Sequence, residues 1–103
     1  MFSVYGRMTA RLGRRDELIA VLHEGLRTGG DDSGLLAYSI NIAFDDPDTI
    51  WCTQLWIDKD AHDRTTRSEP VAALSRRLPP LLAGQPEGFY GHVVHASVQT
   101  ADM

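Results

Sequence analysis

Cysteine, positive charge and long apolar runs are all scarce in this sequence, and each shortage removes a class of function. Cys52 is the single cysteine, so neither an internal disulfide nor a zinc site with several cysteine ligands can form. The formal net charge is -4, whereas a nucleic-acid-binding domain needs a basic face. No run reaches the roughly 20 apolar residues of a membrane helix. We therefore expect a cytoplasmic protein that binds neither nucleic acid nor membranes.

The remaining composition is typical of one small globular domain. Apolar residues make up 43% of the 103 positions and charged residues 23%. A chain of this length suits a single domain with one hydrophobic core. We expect one domain over 1–103, with an ordered core over about 2–98 and a frayed tail over 99–103.

Alternating apolar and polar residues predict the strands. A period of two is typical of a strand with one face buried. Four segments show it, and they are 2–10, 35–44, 49–57 and 89–98. The acidic, proline-containing turn at 45–48 joins the second and third segments into a hairpin.

Apolar residues at helical spacing predict the remaining elements. From Asp16 onward leucines recur at every fourth position, which indicates an amphipathic helix. Asp58 is suited to cap a short helix over 59–67, and Pro70 suits the first turn of another. The element order is then β, α, β, β, a broken helical region and β. This order is typical of a ferredoxin-like α+β fold, in which helices cover one face of an antiparallel sheet.

Both faces of the predicted sheet carry apolar side chains. In the third strand, Ile50, Cys52 and Trp56 alternate with Trp51, Leu55 and Ile57. The helices suffice to cover one face only, and soluble monomers rarely keep a large apolar patch exposed. We therefore expect a homodimer that packs sheet to sheet. A monomer with an open apolar face is the alternative.

Carboxylates and one histidine crowd the start of the 59–67 helix, at Asp58, Asp60, His62 and Asp63. Oxygen-rich clusters can bind divalent cations, but acids in a first helical turn are also ordinary capping residues. His92 and His95 are three residues apart on a predicted strand, so they point to opposite faces. We expect no metal site.

Trp56 marks the candidate binding site. It ends a strand where the chain turns into the helix that carries His62, and Gln54 precedes it on the same strand face. Tyr38 lies on the other strand of the hairpin. A pocket walled by Trp56 and Tyr38, with His62, Gln54 or an arginine as polar contacts, would suit a flat small molecule. Core packing of both aromatic residues is the alternative that the sequence leaves open.

Two further residues could belong to this pocket. Cys52 lies on the same strand face as Trp56, and mid-strand it is also typical of a buried, inert thiol. Arg76 could anchor an anionic or phenolic ligand, or it could be a solvated residue on the flank of its helix.

Several of these motifs occur together in one known family. They are a Gly-x-x-x-Tyr strand start at Gly34 to Tyr38, the Asp46-Pro47 turn, and Gln54-x-Trp56 followed by Asp58. The chain thereby resembles the antibiotic biosynthesis monooxygenase family over nearly its whole length. It departs from the family at Gln54, where a glutamate is usual. The haem-degrading branch uses a histidine on the third helix, and 70–82 contains none.

The resemblance implies a dimeric ferredoxin-like fold and, for some members, a particular chemistry. These members oxygenate aromatic or quinol-type substrates with molecular oxygen and without a metal, flavin or other cofactor. It implies Trp56 and His62 as catalytic residues, for stacking and proton handling, and oxyanion stabilisation by Tyr38 or Arg76. Cys52 and Gln54 would be further substrate-binding residues. We therefore predict a cofactor-independent monooxygenase, with a non-catalytic binding or sensing dimer and a structural dimerisation domain as alternatives.

Overall fold

A computed structural model of the protein describes residues 1–29 and 31–97. In this part of the chain, helices cover one face of a four-stranded antiparallel sheet, which confirms the predicted ferredoxin-like α+β fold. The strands are β1 (Phe2–Thr9), β2 (Leu35–Ile42), β3 (Thr49–Trp56) and β4 (Glu87–His92). The helices are α1 (Arg15–Thr28), α2 (Lys59–Arg67) and α3 (Glu69–Ser75), with short 3-10 helices at Asp31–Ser33 and Pro79–Leu81.

The sheet has the strand order β2-β3-β1-β4, so β1 pairs with both β3 and β4. Phe2 lies opposite Trp56 and Met8 opposite Ile50 in the β1–β3 register. Because side chains alternate across a strand, Gln54 shares the helix-covered face with Trp56. A register shift in β2 between Leu35 and Ala37 interrupts its pairing with β3.

The last strand differs from its prediction over 89–98. It begins earlier, at Glu87, and ends at His92. The early start is supported by an ion pair between the Arg7 guanidinium and the Glu87 carboxylate, 2.7 Å apart, which also explains the arginine on β1. The strand ends where it does because His92 pairs with Phe2, the first residue of β1. Residues 93–97 are not part of the strand, contrary to the prediction. Residue 98 and the predicted tail over 99–103 lie outside the described residues.

The hydrophobic core lies between the sheet and α1. Leu18 of α1 and Ile50 of β3 are completely buried, and residues of α3 and of the segment after it close the cluster. Complete burial of one such side chain stabilises the fold by about 1.5–3 kcal/mol. The apolar stripe of α1 continues beyond this core to Leu22 and Leu26, which are only partly buried.

Local signals set the position of α2. The Asp58 carboxylate accepts a hydrogen bond from the Ala61 amide at 2.7 Å, which confirms the predicted N-cap. Gly34 has a positive φ of 89° and approaches this first turn so closely that an added Cβ would lie 2.7 Å from the Ala61 Cβ. The absence of a side chain at Gly34 therefore allows α2 to lie against the sheet.

The helical region before β4 is divided as predicted, but it is shorter. α2 gives way to α3 at Ser68, and Pro70 occupies the first turn of α3. α3 ends at Ser75, so Leu78 lies beyond the helix. After α3, residues 76 and 77 form a turn, and Pro79–Leu81 forms a 3-10 helix.

Candidate functional site

A cavity of about 150 Å³ lies on the helix-covered face of the sheet, between β3 and the three helices. Its apolar lining consists of Val21, Leu22, Leu26, Val71, Leu74 and Leu78. Its other lining residues are Gly25, Gln54, Trp56, Thr65, Thr66 and Ser75. None of these side chains is charged. Apolar walls with a few polar groups are the usual composition of a small-molecule site.

Trp56 forms the wall of the cavity on the sheet side. Its side chain is buried, and the residue is only 3% exposed. The indole Nε1–H donates a hydrogen bond of 2.9 Å to the amide oxygen of Gln54, two residues back on the same strand face. The period of two in β3 therefore brings together an aromatic ring and a primary amide at the cavity wall.

His62 lies outside the cavity lining but against the same indole. Its ring meets Trp56 edge-on, with 5.3 Å between the ring centroids, and lies 5.2 Å from the ring of Phe2 and 5.8 Å from that of Tyr90. We call these four residues the His62 cluster. Trp56 is its one member that also lines the cavity.

The neighbour of His62 on α2 fixes its polar edge. His62 Nδ1 lies 3.0 Å from a carboxylate oxygen of Asp63, whose other oxygen accepts a hydrogen bond from Lys59. The hydrogen bond from Lys59, followed by that from His62, holds the pKa of the Asp63 carboxyl below its usual range. The imidazole is therefore held between a carboxylate and three aromatic rings.

The other residues predicted for the site do not line the cavity. Tyr38 is 41% exposed and its ring packs beside that of His23. Cys52 is buried, and burial raises the pKa of its thiol to about 11, so the thiol is protonated at neutral pH. Arg76 is exposed, and its guanidinium pairs with the Glu69 carboxylate at 2.6 Å. Trp56 and Gln54 thus reach the cavity, and His62 reaches Trp56.

Sequence reasoning missed most of the cavity lining on the helices. Thr65, Thr66 and Ser75 look like solvated helix residues, because hydroxyl side chains occur mostly at the surface. Gly25 was a usable signal. A glycine inside a helix costs stability relative to alanine, so its place within the apolar stripe of α1 suggests that room is needed there.

Over residues 1–29 and 31–97, no group of three or more histidine, cysteine or acidic side chains is arranged to hold a metal ion. None of the helices in this part of the chain is long and apolar enough to cross a membrane.

The fold and the cavity define a small α+β domain with an uncharged cavity between helices and sheet. The family model for antibiotic biosynthesis monooxygenase matches residues 1–77, which include the cavity lining except Leu78. The chain belongs to the antibiotic biosynthesis monooxygenase family.

Solved structures share this fold. A family protein from Chloroflexus aurantiacus J-10-fl is 29% identical, with a TM-score of 0.73, over 92% of this chain and 96% of that one. One from Deinococcus radiodurans is 18% identical with a TM-score of 0.80, over 96% and 98% of the two chains. SnoaB, a cofactor-independent oxygenase from Streptomyces nogalater, is 15% identical with a TM-score of 0.80, over 92% and 94%. The comparison with curated proteins found no match.

Proposed function

We propose that the protein is a monooxygenase that oxidises a small, electron-rich aromatic molecule with molecular oxygen and without a cofactor. The observation that carries the proposal is the uncharged cavity walled by Trp56, in a chain of this family. The shared fold with SnoaB, a cofactor-independent oxygenase, supports the same chemistry. The resemblance implies this activity, and the cavity would hold the substrate.

The size of the cavity favours a substrate with one aromatic ring. A dry cavity of about 150 Å³ binds benzene, whereas pockets for drug-sized ligands measure about 300–1,000 Å³. The cavity beside Trp56, at about 150 Å³, is similar in size to the first kind. A phenol or hydroquinone of one ring therefore fits better than a three-ring anthrone, which would project into solvent.

The proposed reaction is balanced with oxygen as the only co-reactant. A phenolate gives one electron to O₂, and the two radicals join in a new C–O bond to form a ring hydroperoxide. The hydroperoxide carries the proton released by the phenol. The ring carbon then loses its hydrogen as a proton while the O–O bond breaks, so that one oxygen atom remains as the second carbonyl of a quinone and the departing hydroxide takes up that proton and leaves as water. The protein needs to hold the anion, exclude water and keep the ring carbon accessible to O₂.

The two residues predicted as catalytic have different positions relative to this cavity. Trp56 would stack on the substrate ring. His62 does not line the cavity but lies against the indole, so it would either position Trp56 or accept the phenol proton after a shift of the ring. Proton handling predicts that alkaline pH restores activity to His62→Ala, because the phenol then ionises in water. A positioning role predicts a loss of activity at every pH.

Oxygen uptake tests the proposal. The metal-free protein is incubated with hydroquinones, naphthols and anthrones, and uptake is compared with a control without protein. We expect Trp56→Phe and His62→Ala each to lower uptake, while the matched change Trp51→Phe, on the opposite face of β3, leaves it unchanged. Full uptake in both site variants would refute the proposal.

A non-catalytic binding or sensing module is the second candidate. It is favoured by the uncharged lining, since Gln54 stands where the family usually has a glutamate and cannot act as a base. Quenching of tryptophan fluorescence by a member of the panel, without oxygen uptake, would establish this function in place of the first.

We also propose that the protein acts as a homodimer. The face of the sheet that the helices leave open carries Tyr5, Trp51, Leu55 and Phe89, and Phe89 is 57% exposed. An apolar face of this kind favours packing against a second sheet. Sedimentation should show a dimer that Trp51→Glu dissociates. Leu12→Glu, in the exposed turn before α1, is the control that should leave it intact.

A further inference from the structure

We infer that Gln54 presents only N–H donors to the cavity, so that the site takes an aromatic ligand through an oxygen that accepts hydrogen bonds. The ligand class is then a phenolate, or a neutral ring with a carbonyl oxygen. This inference rests on the proposed function and specifies the substrate of the same cavity.

The Gln54 amide can take one orientation relative to the indole. An indole N–H can donate a hydrogen bond but cannot accept one. Trp56 Nε1 lies 2.9 Å from the amide oxygen of Gln54, and Trp56 itself is held by burial against His62. Rotating the amide by half a turn would place N–H against N–H and would leave a buried donor without a partner. The oxygen is therefore fixed on the indole, and the amide nitrogen is directed away from it.

The amide nitrogen of Gln54 is the atom left for a ligand. Gln54 lines the cavity, and its nitrogen makes no hydrogen bond with any described residue. The nitrogen is also not sealed from solvent, because no buried polar side-chain atom of the described residues lacks a partner. The N–H groups of Gln54 are thus accessible to a ligand.

Apart from Gln54 and Trp56, the polar side chains of the lining are three hydroxyls. Each of the three hydroxyls donates its proton to a backbone carbonyl of its own helix: Thr65 to Ala61 at 2.9 Å, Thr66 to Asp63 at 3.2 Å and Ser75 to Val71 at 3.2 Å. These oxygens can then only accept hydrogen bonds. Among the described lining residues, Gln54 is left as the side chain that can donate to a ligand oxygen.

The glutamate usual in the family would have the opposite polarity. A carboxylate that accepts from the indole can only accept from the ligand as well, and it would disfavour a bound anion. The amide of Gln54 instead donates, and hydrogen bonds to an ionised acceptor are stronger than those to a neutral one. Gln54 is therefore a specificity-determining residue for the ionised form of the substrate.

The pKa of bound para-nitrophenol measures this preference directly. Its absorbance reports ionisation, and the nitro group makes the ring too electron-poor for oxidation by O₂. We compare the pKa of the ligand bound to the wild type with that bound to Gln54→Met and Gln54→Glu. Loss of one charge-assisted hydrogen bond should raise the bound pKa in Gln54→Met by about one to two units. Gln54→Glu should raise it further through repulsion.

Two more variants make the comparison specific. Gln85→Met makes the same chemical change on an exposed loop and should leave the bound pKa at the wild-type value. Trp56→Phe removes the donor that fixes the amide, so it should raise the bound pKa by less than Gln54→Met does. Circular dichroism confirms that each variant is folded.

The outcomes separate this inference from the proposed function. The same bound pKa in wild type and Gln54→Met, or no binding of para-nitrophenol to the wild type, would overturn the role of Gln54. Oxygen uptake together with equal bound pKa values would retain the monooxygenase and remove the inference. A shifted pKa without oxygen uptake would retain the phenolate site and remove the monooxygenase.

Discussion

The close approach of Gly34 to α2 predicts how much unfolding free energy the substitution Gly34→Ala costs. The backbone of Gly34 has a φ of 89°, and its carbonyl accepts a hydrogen bond from the Ile57 amide at 2.9 Å. An added Cβ would lie 2.7 Å from the Ala61 Cβ and 2.9 Å from the Ile57 Cγ1, well inside ordinary contact distance. Gly34→Ala must therefore both strain the backbone and move the first turn of α2.

Gly13 separates these two effects. Its φ is 80°, but an added Cβ would meet nothing within 4 Å. An alanine in the left-handed region costs about 1–2 kcal/mol, which is the full expected loss for Gly13→Ala. Overpacking costs about 1–3 kcal/mol more, so Gly34→Ala should lose roughly 2–5 kcal/mol of unfolding free energy. The difference between the two variants measures the contact with α2.

Urea unfolding followed by far-ultraviolet circular dichroism gives both free energies, at one fixed protein concentration because the proposed dimer would make stability depend on it. The tryptophan emission of the folded variants, measured with Trp51→Phe so that Trp56 is the emitting residue, reports whether α2 has moved, since His62 of α2 lies against the indole. Equal losses in Gly34→Ala and Gly13→Ala would refute the argument that the absence of a side chain at Gly34 sets the position of α2.

Three further predictions concern single residues. Gly25→Ala should stabilise the protein by roughly 0.5–1 kcal/mol, because its Cβ meets nothing within 4 Å, and should weaken para-nitrophenol binding by narrowing the cavity; urea unfolding and titration measure the two effects. Cys52 should resist a disulfide reagent at pH 8 and react once urea is added, and its stabilising contribution should be complete below the ordinary pKa of 9.0 and fall as pH rises toward about 11. The pKa of Asp63 is lowered in the folded protein, so its contribution to the free energy of unfolding should be present above pH 3.8 and be lost as pH falls through the folded pKa. The acid limb of the curve of unfolding free energy against pH should flatten in Asp63→Asn. An unchanged curve would contradict the pairing with Lys59 and His62.

Elements with local signals could be predicted closely from the sequence. The bounds of α2 were predicted to the residue, because the Asp58 cap defines its beginning within a few positions. β4 could not be predicted in this way. The alternation of apolar residues continues past His92. β4 nevertheless ends there, because His92 pairs with Phe2, the first residue of β1. Strand bounds depend on residues far away in the chain, which periodicity does not reveal.

The candidate site shows the same division. The period of two correctly grouped Gln54 with Trp56 on one strand face, since that relation lies within one element. Distances between side chains of different elements could not be predicted from the sequence. Whether Arg76 would turn toward the cavity or toward Glu69 depends on where α3 ends and how it packs. Likewise, the sequence placed His62 near Trp56, but it could not show that His62 is absent from the cavity lining.

The His62 cluster joins Phe2 from the beginning of the first strand with Tyr90 from the last. Contacts between residues so far apart in sequence form slowly, whereas a hairpin closes within microseconds. We expect the β2–β3 hairpin, which carries Gln54 and Trp56, to form early in folding. The rings around His62 can come together only when both edges of β1 have been paired. The cavity wall formed by Gln54 and Trp56 would thus form first, and the packing of the His62 cluster against Trp56 would form last.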